Sequence, residues 1–338
     1  MFKVVTLWNL VRPEEELGLT VRDIELRGYN PDVFLTGEFA MKLSQGEVRP
    51  LSVSDVADRH CPVRRDLYLR KGVNRLEGAQ ARGRSTWGRA AGNVVEAYMK
   101  ALFARCDERN DRAYSRLRRK GTRVCDDFAS SSRGGLDTLR ALEEGAEGPE
   151  SGDTDWLLRL LLSNGTAELG SKLLHGVLNQ HGCVDCSDLR LSYVISPTPE
   201  RIGLSPQVTP DFILPDHRIV GDIKTGVEFK EFYLLTCAGY ALAFENELGA
   251  GHDIDWGIVY FFPTRNPSAY VRPLTFAQVY IFPIDDSVRR WFMNSRDEAY
   301  ALVSRTQAPA IPAADKRDHC PHCAFLDYCA NEGLHLAT

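Results

Sequence analysis

Three cysteines crowd residues 320–329 as Cys320-Pro-His-Cys323 and then Cys329, and this C-x2-C-x5-C segment constrains the chain more than any other stretch. Three thiolates in one short, turn-rich segment make an incomplete metal site, so the fold has to bring a fourth ligand from elsewhere. Six cysteines compete for that place: Cys61, Cys106, Cys125, Cys183, Cys186 and Cys237. Cys183-Val-Asp-Cys186 is itself a C-x2-C pair and would form a zinc ribbon with Cys320 and Cys323, although their long separation is unlike a compact ribbon. Cys106, Cys125 and Cys237 read as free thiols or small core residues. A zinc site using Cys329 with His319 or His322 is the simplest alternative for the segment itself.

The 338-residue chain can bury a substantial core, and its 26% charged and 43% hydrophobic residues are an ordinary globular balance. A net charge of -5 gives no global case for nucleic-acid binding, so any such binding has to come from a local patch. The run from Arg105 to Arg123 is one candidate, open to reading as a phosphate-contacting or a solvated helix face. The first residues lack the apolar run and cleavage pattern of a signal peptide, and no stretch approaches the ~20 apolar residues of a membrane span. A cytoplasmic location is therefore expected, where nine cysteines suit metal binding or free thiols better than a disulfide framework.

The chain divides into segments of different character. Residues 1–50 read as an irregular arm, and residues 51–130 as a helical region. A Ser-x-x-Asp signal at Ser52 starts a helix there that runs through Cys61 toward Lys71. A second helix from about Ser85 carries Ala91, Val94, Val95, Tyr98, Ala101 and Leu102 on one buried face, with Glu96 inside it. Residues 131–155, rich in Gly, Ser and acids, read as an insertion or mobile connection.

Residues 156–306 hold the expected α/β core, and residues 307–338 the cysteine segment. LRLSYVIS alternates as a strand, VTPDFILP and HRIVGDIKT read as a hairpin turning at Pro215-Asp216-His217, and residues 229–247 return to helical spacing. Residues 256–262 read as a buried strand, VRPLTFAQVYIFPI as one or two more, and Asp286–Ser304 as a final helix. This order indicates a mixed sheet flanked by helices.

On that hairpin Asp211 and Asp222 fall near one another across the strands, and Asp222 and Lys224 share a face because side chains alternate with period two. Two carboxylates and an ammonium suit Mg2+ or Mn2+, a hard ion that takes oxygen ligands. The plain alternative is an exposed, salt-bridged hairpin.

Pro210-Asp211 followed by Asp222-Ile223-Lys224, on paired strands before a helix, resembles the PD-(D/E)XK nuclease motif in its RecB-like branch. Gly92-Asn-Val-Val-Glu96 is similar to that branch's Gly-x-x-x-His, with glutamate for histidine, which adds Glu96 as a third metal ligand. Thr236-Cys-Ala-Gly-Tyr240 keeps the tyrosine of its Gln-x-x-x-Tyr motif and loses the glutamine, so Tyr240 is either a site residue or packed core.

Cys61, in His-Cys-Pro-Val-Arg-Arg-Asp-Leu-Tyr-Leu-Arg, and the C-terminal trio resemble the cluster ligands of the CRISPR-associated RecB-like iron-sulfur exonucleases. These are the fourth family in the Cas series, and the form of type I-A systems is the nearest. The resemblance implies a 4Fe-4S cluster on Cys61, Cys320, Cys323 and Cys329, although four thiolates match zinc equally by chemistry.

It also implies an exonuclease that binds Mn2+ or Mg2+ through Glu96, Asp211, Asp222 and the carbonyl of Ile223, with Lys224 acting on the attacking water. Single-stranded DNA ends would be the substrate, spacer-precursor trimming the task, and the adaptation integrase proteins the partners, with homo-oligomerisation open. Arg64, Arg65, Arg70 and Lys71 are expected either to line a strand path or to form a solvated helix face. Two other functions fit the same residues: a catalytically weak DNA-binding scaffold subunit, and a RecB-like repair nuclease outside CRISPR.

Overall fold

The computed structural model describes residues 7, 13–57, 61–76, 87–106, 137, 139, 141, 153–178, 188–264, 277–317, 320 and 323–332. In chain order the helices are α1 (Pro13–Leu17), α2 (Gly37–Ser44), α3 (Val53–Ala57), α4 (Arg65–Lys71), α5 (Trp87–Cys106), α6 (Asp153–Leu178), α7 (Pro199–Ile202), α8 (Tyr233–Leu248), α9 (Asp286–Val303) and α10 (Leu326–Asn331). The strands β1 (Arg190–Leu191), β2 (Phe212–Leu214), β3 (Ile219–Gly226), β4 (Trp256–Pro263) and β5 (Gln278–Pro283) form one sheet in sequential order. β3 and β4 are parallel and the other neighbours antiparallel, so the mixed α/β architecture expected from the sequence is present.

The parallel pair requires a crossover, and α8 supplies it. β4 is buried at every position, which is why WGIVYFFP reads as a continuous apolar run. Alternation along the central strands sorts side chains between two layers. Ile219, Ile223, Ile258 and Tyr260 join Ala91, Val95, Tyr98 and Leu102 of α5, whereas Val220, Val259 and Phe261 join α8, α9 and α3. The sheet is thus a filling between helices, and the β2–β3 hairpin lies at the seam of the two cores.

Residues 13–50 are more than a cover. Leu26, Val33, Leu35, Leu43 and Val48 are buried in the α8–α9 layer, and α2 adds regular structure that the sequence reading lacks. Glu245 of α8 anchors this arm from a fully buried position. It meets Arg27 at 2.9 Å and Arg289 at 2.7 and 2.8 Å, and accepts the N–H groups of Gly28 at 2.8 Å and Ile254 at 3.1 Å. Every lone-pair direction of that carboxylate is engaged, which is what allows a charge to remain inside.

Several expectations need correction. Ser52 and Asp55 do form a reciprocal cap, with Asp55 N–H donating to Ser52 Oγ at 3.0 Å and Ser52 N–H to Asp55 Oδ2 at 2.9 Å. The helix they start is described over Val53–Ala57 and does not run through Cys61, because residues 61–64 are not helical and α4 begins only at Arg65, after Arg64 in a left-handed conformation (φ 53°). Pro62 has no N–H to carry a helix through, so Cys61 stands in the connection between the two. The LRLSYVIS strand is cut to two residues because Ser192 turns left-handed (φ 48°), leaving Ile195 one isolated bridge with Val208. The hairpin turns as expected, through a 3-10 turn at Pro215–His217.

Most of the proposed 131–155 insertion and the basic residues from Arg109 to Arg123 lie outside the described residues, as do Cys125, Cys183, Cys186, His319 and His322. Among the described residues, no helix is long and apolar enough to cross a membrane.

Candidate active site

The hairpin register sets Phe212 opposite Gly221, so Asp211 and Asp222, one step outward on each strand, face one another. Asp211 Oδ2 accepts the backbone N–H of Ile223 at 2.7 Å, which fixes its carboxylate against β3. Lys224 Nζ lies 2.6 Å from Asp222 Oδ2, close in distance but not aligned as a hydrogen bond. Asp222 is only 2% exposed. Burial pushes its pKa up to about 7; Lys224 opposes the rise and the neighbouring Asp211 adds to it.

Helix α5 closes the site from the other layer. Gly92 allows the approach, since a side-chain carbon there would stand 3.2 Å from Thr225 Oγ1 on β3. One turn later Glu96 points to the same end of the sheet, but it does not reach the aspartates directly. Lys100 stands between them, 2.6 Å from Glu96 Oε1 and 3.1 Å from Asp211 Oδ1. Burial opposes the charge on Lys100, yet Glu96 and Asp211 outweigh it and hold the ammonium above the usual lysine range. Glu96, expected as a third metal ligand, is thus joined to Asp211 through a lysine. Lys100 was absent from the sequence reading, where its i,i+4 spacing from Glu96 is the one available signal.

On the far face α8 contributes Cys237, fully buried, whose thiol donates to the carbonyl of Ile258 at 3.7 Å. Burial raises its pKa well above the ordinary thiol range, and the charge on Asp222 adds to this. Thr236, in the place of the family glutamine, is 2% exposed, and Tyr240 is half-buried against the same core.

A second cluster forms where the segment after α3 meets residues 312–329. Cys61, Cys320, Cys323 and Cys329 line one small cavity with Arg65, Asp66 and Phe325, and none of the four is in a disulfide. Burial raises Cys320, Cys323 and Cys329, and their mutual proximity adds to it. The surrounding joint is hydrogen-bonded across the sequence: Val73 N–H to Val303 O at 3.0 Å, Tyr68 Oη to Arg305 O at 3.1 Å and Asn74 Nδ2 to Thr306 O at 2.7 Å.

The four basic residues expected along a strand path belong to this joint. Arg65 is buried, donating to Pro309 O and pairing with Glu332. Arg70 meets Asp55 at 2.8 Å, Lys71 meets it at 3.5 Å, and Arg64 donates to the Asp55 carbonyl. Each of the four therefore has a partner within the molecule.

Among the described residues, no three His, Cys, Asp or Glu side chains stand as ready-made ligands of one ion. The donor chemistry nevertheless fits the groups expected. Asp222 Oδ2 is a buried carboxylate oxygen without an aligned donor, next to a second carboxylate, and such an all-oxygen pair suits a hard cation. Four gathered thiols suit a soft one.

No curated protein and no solved structure matches the chain. Residues 196–333, which carry Asp211, Asp222, Lys224 and the cysteine trio, match the family described as CRISPR-associated exonuclease Csa1. Over its C-terminal part, then, the chain is similar to a family of CRISPR-associated exonucleases, as its motifs lead one to expect.

Proposed function

We propose that the chain is a divalent-metal-dependent deoxyribonuclease of PD-(D/E)XK, RecB-like type that trims single-stranded ends of spacer precursors in CRISPR adaptation, beside the integrase proteins. The observation that carries this reading is the facing pair Asp211 and Asp222 with Lys224 2.6 Å away, inside the segment similar to the exonuclease family.

Asp211, Asp222 and the carbonyl of Ile223 would hold Mn2+ or Mg2+, with Glu96 at the edge of the site. The ion would supply a water of lowered pKa and a counter-charge for the phosphate. Asp211 is held for this task by the Ile223 N–H, so its other oxygen, which faces Lys100, keeps a fixed direction. Lys224 orients the attacking water and carries its proton, and its ammonium offsets charge on the phosphodiester. The thiols of Cys61, Cys320, Cys323 and Cys329 would hold a 4Fe-4S cluster that ties the joint together and takes no part in hydrolysis.

The test is degradation of end-labelled single-stranded DNA by anaerobically purified protein with Mn2+. Wild type is expected to shorten the strand from an end, and Asp222→Ala and Lys224→Ala to lose that activity. Cleavage that survives both substitutions would overturn the assignment.

A second reading, a DNA-binding scaffold subunit, draws on Thr236 in the place of the family glutamine and on Glu96 being occupied by Lys100. Absence of wild-type cleavage with the cluster intact favours it. The absorbance of the same preparation separates an iron-sulfur centre from zinc, because a colourless, zinc-containing protein rules out the cluster.

A further inference from the structure

We infer that Lys100 is a built-in counter-cation of the carboxylate site, one that holds the ion-free form together and has to release Asp211 before a divalent ion can bind. The inference rests on the reading of Asp211 as a metal ligand. Lys100 Nζ lies between two carboxylates from different layers, 2.6 Å from Glu96 Oε1 and 3.1 Å from Asp211 Oδ1.

Both oxygens of Asp211 are therefore engaged, Oδ2 by the Ile223 N–H and Oδ1 by Lys100. The first partner is backbone and cannot leave without breaking the hairpin. The second is the end of a flexible four-carbon stem with 22% of its side chain exposed, so it can swing aside. Because Lys100 and Glu96 share a helix one turn apart, that swing frees Glu96 Oε1 and Asp211 Oδ1 together. One displacement turns a two-carboxylate site into a three-carboxylate site.

A lysine in this position does two things. Without an ion it screens Glu96, Asp211 and Asp222 from one another. With an ion present it competes for the same oxygens, so it lowers affinity and makes loading selective for a cation strong enough to displace an ammonium.

The experiment is calorimetric titration of the purified full chain with Mn2+ in the absence of DNA, for wild type, Lys100→Met, Lys100→Arg and Asp211→Asn, with melting temperatures measured in EDTA and in Mn2+. Lys100→Met keeps the stem and removes the charge. It is expected to bind Mn2+ at least five-fold more tightly than wild type, to melt lower in EDTA and to recover in Mn2+. Lys100→Arg keeps the charge and is expected to stay within two-fold of wild type, which separates competition from a packing defect.

If wild-type binding disappears in Asp211→Asn while Lys100→Met binds no more tightly than wild type, Lys100 is not a competitor and the inference falls, leaving the metal reading in place. If neither wild type nor Lys100→Met binds Mn2+ in a way that Asp211 controls, the metal reading falls and takes the inference with it.

Discussion

The backbone N–H of Ile223 donates to Asp211 Oδ2 at 2.7 Å, so the carboxylate of one strand is seated on the main chain of the next, beside Asp222. This seat makes the hairpin and the site a single object. Asp211→Asn retains a carbonyl oxygen for the Ile223 N–H and removes the charge. The variant should fold with unchanged circular dichroism and lose at least ~100-fold in cleavage rate, the scale expected when a metal- or proton-handling group is removed. Asp211→Ala, which vacates the seat, should in addition melt lower. Equal melting of the two variants would show that the hydrogen bond does not hold the hairpin.

Glu168 of α6 offers a test of stability against pH. It accepts the Tyr260 hydroxyl at 2.8 Å and the Leu7 N–H at 3.1 Å, and burial pushes its pKa from the ordinary 4.5 up to about 8. Between those values the folded chain holds a proton that the unfolded chain has lost, so stability falls as pH rises from about 4.5 to 8. Asp222, raised to about 7, contributes with the same sign. Glu168→Gln should remove the first contribution alone. Urea unfolding free energies should nearly coincide at pH 4.5 and favour the variant at pH 8, by on the order of 4 kcal/mol at about 1.4 kcal/mol per pKa unit. Parallel pH profiles would refute the assignment.

Glu245 sits at the crossing of the N-terminal arm, α8 and α9, where it pairs with both Arg27 and Arg289. Glu245→Ala leaves Arg289, which is fully buried, without its bidentate partner. A loss of about 3–5 kcal/mol is expected, read from urea unfolding. Glu245→Gln should recover only a small part of it, because its single carbonyl oxygen can accept from Gly28 N–H or from Ile254 N–H but not from both. A loss below about 1 kcal/mol would mean that the arm is held mainly by Leu26, Val33 and Leu35 instead.

Serine at Cys61 should act on the joint before it acts on cleavage. The expected result is a bleached visible spectrum and faster proteolysis around residues 61–76, with cleavage falling in proportion to the folded fraction that remains. A variant that keeps its colour would remove Cys61 from the ligand set, because the other three thiols belong to one segment.

Much of this was legible in the residues. The Pro215-Asp216-His217 turn fixed where the hairpin bends, and period two then placed Asp211, Asp222 and Lys224 together. The break between α3 and α4 was less legible, because Ser52 and Asp55 form a sound start signal and only Pro62 warns that it is short-lived. Helix α6 was missed altogether. Its Ser163-Asn164-Gly165 step looks like a breaker, but Asn164 is buried and Gly165 is where Tyr98 of α5 packs, a side-chain carbon there falling 2.2 Å from the Tyr98 hydroxyl. Tertiary contact overrides local propensity at that point. Lys100 went unseen for a related reason: four residues after a glutamate, a lysine looks like any helix-surface pair, and its second partner arrives from another strand.

The joint at residues 61–76 has a consequence for how the chain is made. Tyr68 bonds to residue 305, Val73 to residue 303 and Arg65 to Glu332, so this early segment finds its partners more than 200 residues downstream. During synthesis it leaves the ribosome long before those partners exist, and the sheet can pair while it waits. Closure of the joint therefore waits until residues 303–332 have been made.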